Sequence, residues 1–545
     1  MRRLARLLMV LPALALLSGM LAAPVSAAPV SAAAASAAPA SRAGAAAAAA
    51  AHMVKVRAIG LDRDGFVVKH LPAVFLNSAS GASYQSFGQA VRLPTGGYLV
   101  GAEVPTGSAS ETLVVRNVTI RTSETITMNA ERGRLVRVSL TGVHASQTAE
   151  AISACLENTG NMVIPAAAYG GSGVKLYAVP FRSANVGFSY QASWLGPAGA
   201  GYNLTGSSAG GIPAHLGYSQ AAGHLAELAV DVRDGVNPAT SILWELSPGN
   251  EFQSLCSYSD VGGQTTEPFG TTQYVTPGLW TTRVDTVYQV DELGFNYLVA
   301  HFAGRHRYTQ TFGAAVAGPG ANFPDIDGNI FRFDATDLFD PRGMGPGNGG
   351  DQCCTRSTVV LRTGGHVVAR AHLDQWRGRS YYEKVLTKAG WYTFDITAVR
   401  RNPHGSEPAN MLSNRVTLAW RFHATPVLPA GIGHQFPVTV TIFEPRGLSM
   451  DNQALPGSTT ALEFYVVRAG QPGDQAARYA FKTIRAQASF DDGKTWQTLT
   501  VSRHHGFWLT SVHDPASGFV ALRSAVTDIR GDSTVQTIYR AYAVS

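Results

Sequence analysis

Val416-Thr417-Leu418-Ala419-Trp420 alternates large apolar side chains with smaller or polar ones at a period of two. That spacing puts alternate residues on opposite faces of a β-strand. Working outward, the same period recurs in Val438-Thr439-Val440-Thr441-Ile442, Leu135-Val136-Arg137-Val138-Ser139-Leu140 and Val54-Lys55-Val56-Arg57-Ala58-Ile59. Turn-forming pairs punctuate these runs, among them Asp64-Gly65, Thr95-Gly96-Gly97, Pro277-Gly278 and Asp327-Gly328, where Gly supplies backbone angles other residues avoid. Tyr218 to Val230 is one candidate for a short helix. Many short strands with regular turns, and no short internal repeat, predict an all-β chain of β-sandwiches in tandem.

The chain opens with a basic zone (Arg2, Arg3, Arg6), an apolar run from Leu7 to Ala23 broken by Pro12, and Val25-Ser26-Ala27 with small residues at −3 and −1. This is the pattern of a cleaved secretory signal peptide, residues 1–27. The apolar run is too short for a membrane anchor of about 20 residues, and no later stretch is apolar for long enough, so no membrane span is expected in the mature chain. Residues 28–51 are almost all Ala with Ser, Pro and Val and read as a flexible spacer. The formal net charge of +6 overstates the mature protein, since the leader carries three arginines and no acid. A near-neutral chain of this length has no electrostatic footprint for nucleic acid.

Strand and turn patterns then divide the chain into a sandwich at 52–145, a β-rich middle unit at 146–265, a second at 266–425 with a Gly/Pro-rich loop from Gly343 to Gly350, and a C-terminal sandwich at 426–545. Four cysteines, Cys155, Cys256, Cys353 and Cys354, favour disulfides in an exported protein over free thiols or a zinc site. A bridge between the neighbours Cys353 and Cys354 would distort the peptide bond between them. Two pairings stay open: Cys155 to Cys353 with Cys256 to Cys354, or Cys155 to Cys354 with Cys256 to Cys353.

Ser489-Phe490-Asp491-Asp492-Gly493-Lys494-Thr495-Trp496 fits the S-x-D-x-G-x-T-W pattern of an Asp-box, a hairpin in which Ser489, Asp491, Gly493, Thr495 and Trp496 are structural. Asp325 and Asp327 in a D-x-D-G run are a weak Ca²⁺ candidate, with a polar turn as the plainer reading and no other cofactor expected. No GxSxG, HExxH, P-loop or dinucleotide fingerprint is present, so no catalytic residue is assigned.

Together, Ser489 to Trp496, then Gly518-Phe519-Val520-Ala521-Leu522-Arg523-Ser524-Ala525-Val526-Thr527-Asp528 and Val535-Gln536-Thr537-Ile538-Tyr539-Arg540-Ala541-Tyr542 resemble the non-catalytic C-terminal region of actinobacterial secreted subtilisin-like (S8) serine peptidases. Leu176-Tyr177-Ala178-Val179-Pro180, Gly211-Ile212-Pro213-Ala214 and Leu412-Ser413-Asn414-Arg415-Val416 match as well. The stretch from Val91 to Val100 resembles the prealbumin-like or carboxypeptidase-regulatory-like sandwich of those tails. The resemblance implies immunoglobulin-like and prealbumin-like domains outside the cell. It carries over no catalytic residue, because the peptidase Asp, His and Ser motifs have no counterpart here.

The expected function is therefore a secreted, non-catalytic accessory or binding protein that engages a protein, peptide or polysaccharide. Trp194, Trp280 and Trp376 are its possible ligand contacts. The alternative is a secreted hydrolase whose site is assembled by geometry from scattered residues, for which a pocket gathering Asp, His and Ser would be the mark.

Overall fold

The computed structural model describes residues 52–545 except 159–160, 172, 234–240, 250–260, 289–290, 321–324, 328, 342–348, 352–354, 402–407, 426–432, 436–437 and 469–479. The leader, the spacer, Cys256, Cys353 and Cys354 lie outside the described residues. Within them the chain is all-β: strands joined by turns, with 3-10 turns the only helical elements. No helix among the described residues is long and apolar enough to cross a membrane.

Period two in the sequence becomes alternate burial in space. Arg415–Ala424 runs half-buried, buried, half-buried, buried along Arg415-Val416-Thr417-Leu418. Lys55, Arg57 and their neighbours likewise point away from a core that holds Val54, Val56 and Ala58.

The N-terminal sandwich pairs a four-stranded sheet built on Met53–Leu61 with a six-stranded one containing Gly96–Thr106 and Ser110–Ile120. Phe75, Tyr98, Val100, Ile126 and Met128 fill the space between. Lys175–Ala178 adds to the six-stranded sheet beside Ser110–Ile120, so that sheet draws a strand from beyond residue 145.

Next comes a seven-stranded sheet that includes Ser146–Asn158, Phe181–Leu195, Gly201–Ile212 and Phe269–Val275. Gly201–Ile212 pairs with Phe269–Val275, so hydrogen bonding continues through the junction expected near 265. A five-stranded sheet, 261–265, 241–248, 278–288, 291–302 and 349–351 in spatial order, shares a core of Leu228, Val230, Ile242, Trp280, Val284 and Phe302 with the seven-stranded one. Gly349–Asp351, placed in a loop by the sequence, is the edge strand of this sheet.

The helix expected at Tyr218 to Val230 is absent. That stretch is the strand Gly217–Ala221, a 3-10 turn at Ala222–His224, and the strand Ala226–Val232. Ala226, Leu228, Val230 and Val232 are buried and Glu227, Ala229 and Asp231 are not, a strict period of two. A strand pair split by a three-residue turn imitated helical spacing.

The largest sheet has nine strands. Its spatial order is His366–Asp374, Thr355–Thr363, Gly390–Arg400, Arg415–Ala424, Ser533–Val544, Gly518–Asp528, Phe481–Ser489 and Gln497–Leu499, with Gln453–Ala454 pairing beside Ser533–Val544. It runs unbroken across the junction expected at 425/426. One face covers a core containing Phe333, Phe394, Trp420, Phe464 and Tyr542. The opposite face is half-buried to exposed along most of its strands, although Thr537 on it is buried.

Candidate functional site

Each strand of the nine-stranded sheet sends every second side chain to the solvent face. Register then aligns those side chains into rows. In one row Asp374 stands beside Arg356, Arg356 beside Val399, Val399 beside Arg415, and Arg415 beside Tyr539. In the next row His372, Thr358, Thr397, Thr417 and Thr537 follow one another in the same way.

At the edge of the sheet the chain leaves Asp374, makes the 3-10 turn Gln375–Arg377, and returns at Arg379. Gly378 closes the turn at a φ of 66°, a left-handed conformation that costs glycine little. Backbone bonds of 2.9 and 3.0 Å between Asp374 and Arg379 lock it. Arg377 and Arg379 are thereby brought over the end of the sheet near Arg356. Together with Thr358, His372, Thr397 and Val399 these groups line an open hollow of about 570 Å³.

Three guanidiniums face one carboxylate here. Asp374 accepts from Arg356 Nε at 3.1 Å and lies 3.7 Å from Arg377 Nε, while its Oδ1 is buried without a hydrogen-bond partner. Arg379 has no acidic partner among the described residues. Trp376, which precedes Arg377 in the turn, is 53% exposed.

Thr358 Oγ1 and His372 Nδ1 are 3.1 Å apart, a hydroxyl–imidazole pair inside the hollow. Ser357 also lines it, but Ser357 is buried and its Oγ has no partner. Asp374 is engaged with the arginines, and among the described residues no side chain hydrogen-bonds the second nitrogen of His372. Thr358 sits on a strand paired on both sides, so its own amide belongs to the ladder and is not free to receive an oxyanion.

Val399 also borders a second hollow, lined by Asn414, Arg415, Tyr539, Arg540 and Asp492 among others. The two hollows share Val399 in the row from Asp374 to Tyr539. Asp492 comes from the Ser489–Trp496 hairpin, whose geometry is tight. Asp491 accepts from the Thr495 amide at 2.9 Å, the Thr495 hydroxyl at 2.6 Å and the Ser489 hydroxyl at 2.8 Å. These bonds, led by the Thr495 hydroxyl, pull its pKa down to about 2. Gly493 has a φ of 83°, and a Cβ there would lie 2.8 Å from the Tyr539 ring. Trp496 Nε1 donates to the Gly493 carbonyl at 2.9 Å. Ser489, Asp491, Thr495 and Trp496 all use their polar side-chain groups to hold the turn.

Guanidiniums also cover the aromatic faces on this side of the sheet. Arg415 lies 3.6 Å over Tyr539, Arg421 lies 3.8 Å over Trp391, and Arg523 lies 3.8 Å over Trp496.

The other sequence candidates fall elsewhere. Trp280 is fully buried with Nε1 donating to the Thr276 carbonyl at 2.8 Å, and Trp194 is buried in the core beneath Ile152 and Phe188. Both are core residues rather than ligand contacts, because strand alternation points them inward. Cys155 is disulfide-bonded, and no described cysteine is free. Asp325–Asp327 is a strand rather than a turn, antiparallel to Ile330–Asp334. No cluster of three or more metal-ligating side chains occurs among the described residues.

No family model matches this sequence, and no curated protein matches it. Solved structures with detectable similarity include the major pilin subunit of Bacillus cereus, at 7% identity over 48% of this chain and 98% of that one, TM-score 0.12. They also include the Bacillus anthracis TIE protein, at 12% identity over 60% of each chain, TM-score 0.14. A third is a streptococcal ancillary pilin, at 8% identity over 48% of this chain and 99% of that one, TM-score 0.11. Superposition at this level carries no functional inference.

Proposed function

We propose that this chain is an exported, non-catalytic binding protein that engages a protein, peptide or polysaccharide outside the cell, in the manner its resemblance to subtilase tails implies. Export is supported by the leader ending at Val25-Ser26-Ala27. The observation that carries the binding reading is the open, arginine-lined hollow beside the turn Gln375–Arg377, which carries the exposed Trp376. Fixed cations beside an exposed aromatic offer both charge and apolar contact to a ligand.

The hydrolase alternative rests on one observation, the Thr358–His372 contact. A hydroxyl becomes an effective nucleophile when a base takes its proton, a third group orients the base and donors receive the oxyanion. Only the first of these is supplied at Thr358. Incubating the purified mature chain with a fluorophosphonate probe and a casein substrate decides between the two readings. The binding reading expects no labelling and no cleavage. Labelling lost in Thr358→Ala or His372→Ala would overturn it.

A further inference from the structure

We infer that the row of side chains from Arg379 through Arg356 and Arg415 to Tyr539 is a site for an acidic polysaccharide, its carboxylate or sulfate groups held by the guanidiniums. The inference rests on the binding reading above and names its ligand.

Charge sets the ligand's sign. Asp374 is the one carboxylate facing the first hollow, against Arg356, Arg377 and Arg379. It cannot neutralise all three, and Arg379 has no acidic partner among the described residues. The second hollow adds Arg415 and Arg540, with Asp492 as its one carboxylate.

Side-chain type sets the ligand's chemistry. Arginine presents a planar fork that meets carboxylate and sulfate oxygens two at a time, which a lysine ammonium cannot do. The cationic groups facing these hollows are arginines, and no lysine lines either one.

Spacing sets the ligand's shape. Arg356 and Arg415 are two strand separations apart, about 10 Å at the usual inter-strand distance, and the row from Asp374 to Tyr539 crosses four separations, about 19 Å. Such a row suits an extended chain carrying repeated anionic groups better than a single small anion. Beside it, the hydroxyls of Thr397 and Thr417 suit a ligand rich in hydroxyl groups. An acidic peptide would offer them few partners. Single-stranded nucleic acid binds by stacking bases on aromatic faces, but Tyr539 carries Arg415 on its ring at 3.6 Å.

The test uses the mature chain. Binding is measured by titration calorimetry at low ionic strength against polygalacturonate, dextran sulfate, neutral dextran, poly-glutamate and an oligo-thymidylate. The expected result is binding to one or both acidic polysaccharides and none to neutral dextran. Polygalacturonate against dextran sulfate tells carboxylate from sulfate recognition. Arg356→Gln with Arg379→Gln should weaken binding at least tenfold, whereas Arg132→Gln in the N-terminal sandwich should leave it unchanged. Because Arg356 and Arg379 are exposed, both variants should keep the parent circular dichroism. Binding of poly-glutamate, the oligonucleotide or neutral dextran in place of the acidic polysaccharides would overturn this inference and leave the binding reading standing. Equal affinity in Arg356→Gln/Arg379→Gln and parent would also overturn it. Probe labelling at Thr358 would defeat the binding reading itself.

Discussion

Glu150 lies on Ser146–Asn158 between Gly170 and Ala192 and is 9% exposed. Its side-chain hydrogen-bond partner among the described residues is Gln147, whose Nε2 reaches Oε2 at 3.4 Å, and its Oε1 is buried without a partner. Burial outweighs that weak bond and pushes the pKa from 4.5 up to about 7. The folded state thus holds a proton that the unfolded chain gives up. Below pH 4.5 both states are protonated and no cost arises. As pH rises toward 7 the cost grows, and above 7 it is fully present. At 1.36 kcal/mol for each pH unit between the two values, the ceiling is about 3 kcal/mol. Glu150→Gln keeps the shape and removes the charge, so it should match the parent at pH 4.5 and exceed it by up to about 3 kcal/mol at pH 8. Urea unfolding at pH 4.5, 6 and 8, followed by tryptophan fluorescence, reads the difference between the two proteins, since Trp194 is on the neighbouring strand opposite Gln147. A difference that stays flat across this range, or that favours the parent at pH 8, would refute the reasoning.

Asp514 accepts from the Tyr542 hydroxyl at 2.8 Å, Thr460 at 2.7 Å and Ser458 at 3.0 Å. Asp514→Ala therefore strands buried donors and should destabilise by about 3 kcal/mol or more in urea unfolding, with part of the loss recovered by adding Tyr542→Phe. Trp280→Ala should cost about 3–5 kcal/mol while leaving affinity for any ligand of the arginine row intact, measured by unfolding and calorimetry together. Peptide mapping without reductant should join Cys155 to Cys353 or Cys354, and a Cys155 to Cys256 bridge would refute that pairing. N-terminal sequencing of protein from culture medium should begin near Ala28.

Much of the architecture was legible because burial follows the residue pattern directly. Val416, Leu418 and Trp420 are buried and Thr417 and Ala419 are less so, as a period of two requires. The same rule explains the misreading at Tyr218 to Val230, where two strands meet through a turn of three residues and their combined spacing resembles 3.6. Of the three tryptophans singled out, Trp376 alone is exposed. Burial of Trp194 and Trp280 depends on which face each strand presents. The hollow itself was not legible. Arg356, His372, Asp374 and Val399 come from three strands, and only pairing register brings them side by side. Arg356-x-Thr358 and His372-x-Asp374 do show a polar period of two, the trace such a face leaves in sequence.

Ser533–Val544 sits inside the nine-stranded sheet, between Arg415–Ala424 and Gly518–Asp528. The contact of the His423 amide with Asp532 spans 109 residues of intervening chain. Closing so long a loop before any pairing rewards it makes this junction slow to form. Until it does, Arg415–Ala424 presents an open row of amides and carbonyls able to capture a neighbouring chain. If the chain is exported as proposed, it meets that hazard on the far side of the membrane, and conditions that delay docking of Ser533–Val544 will show as aggregation during secretion before they show as loss of the finished fold.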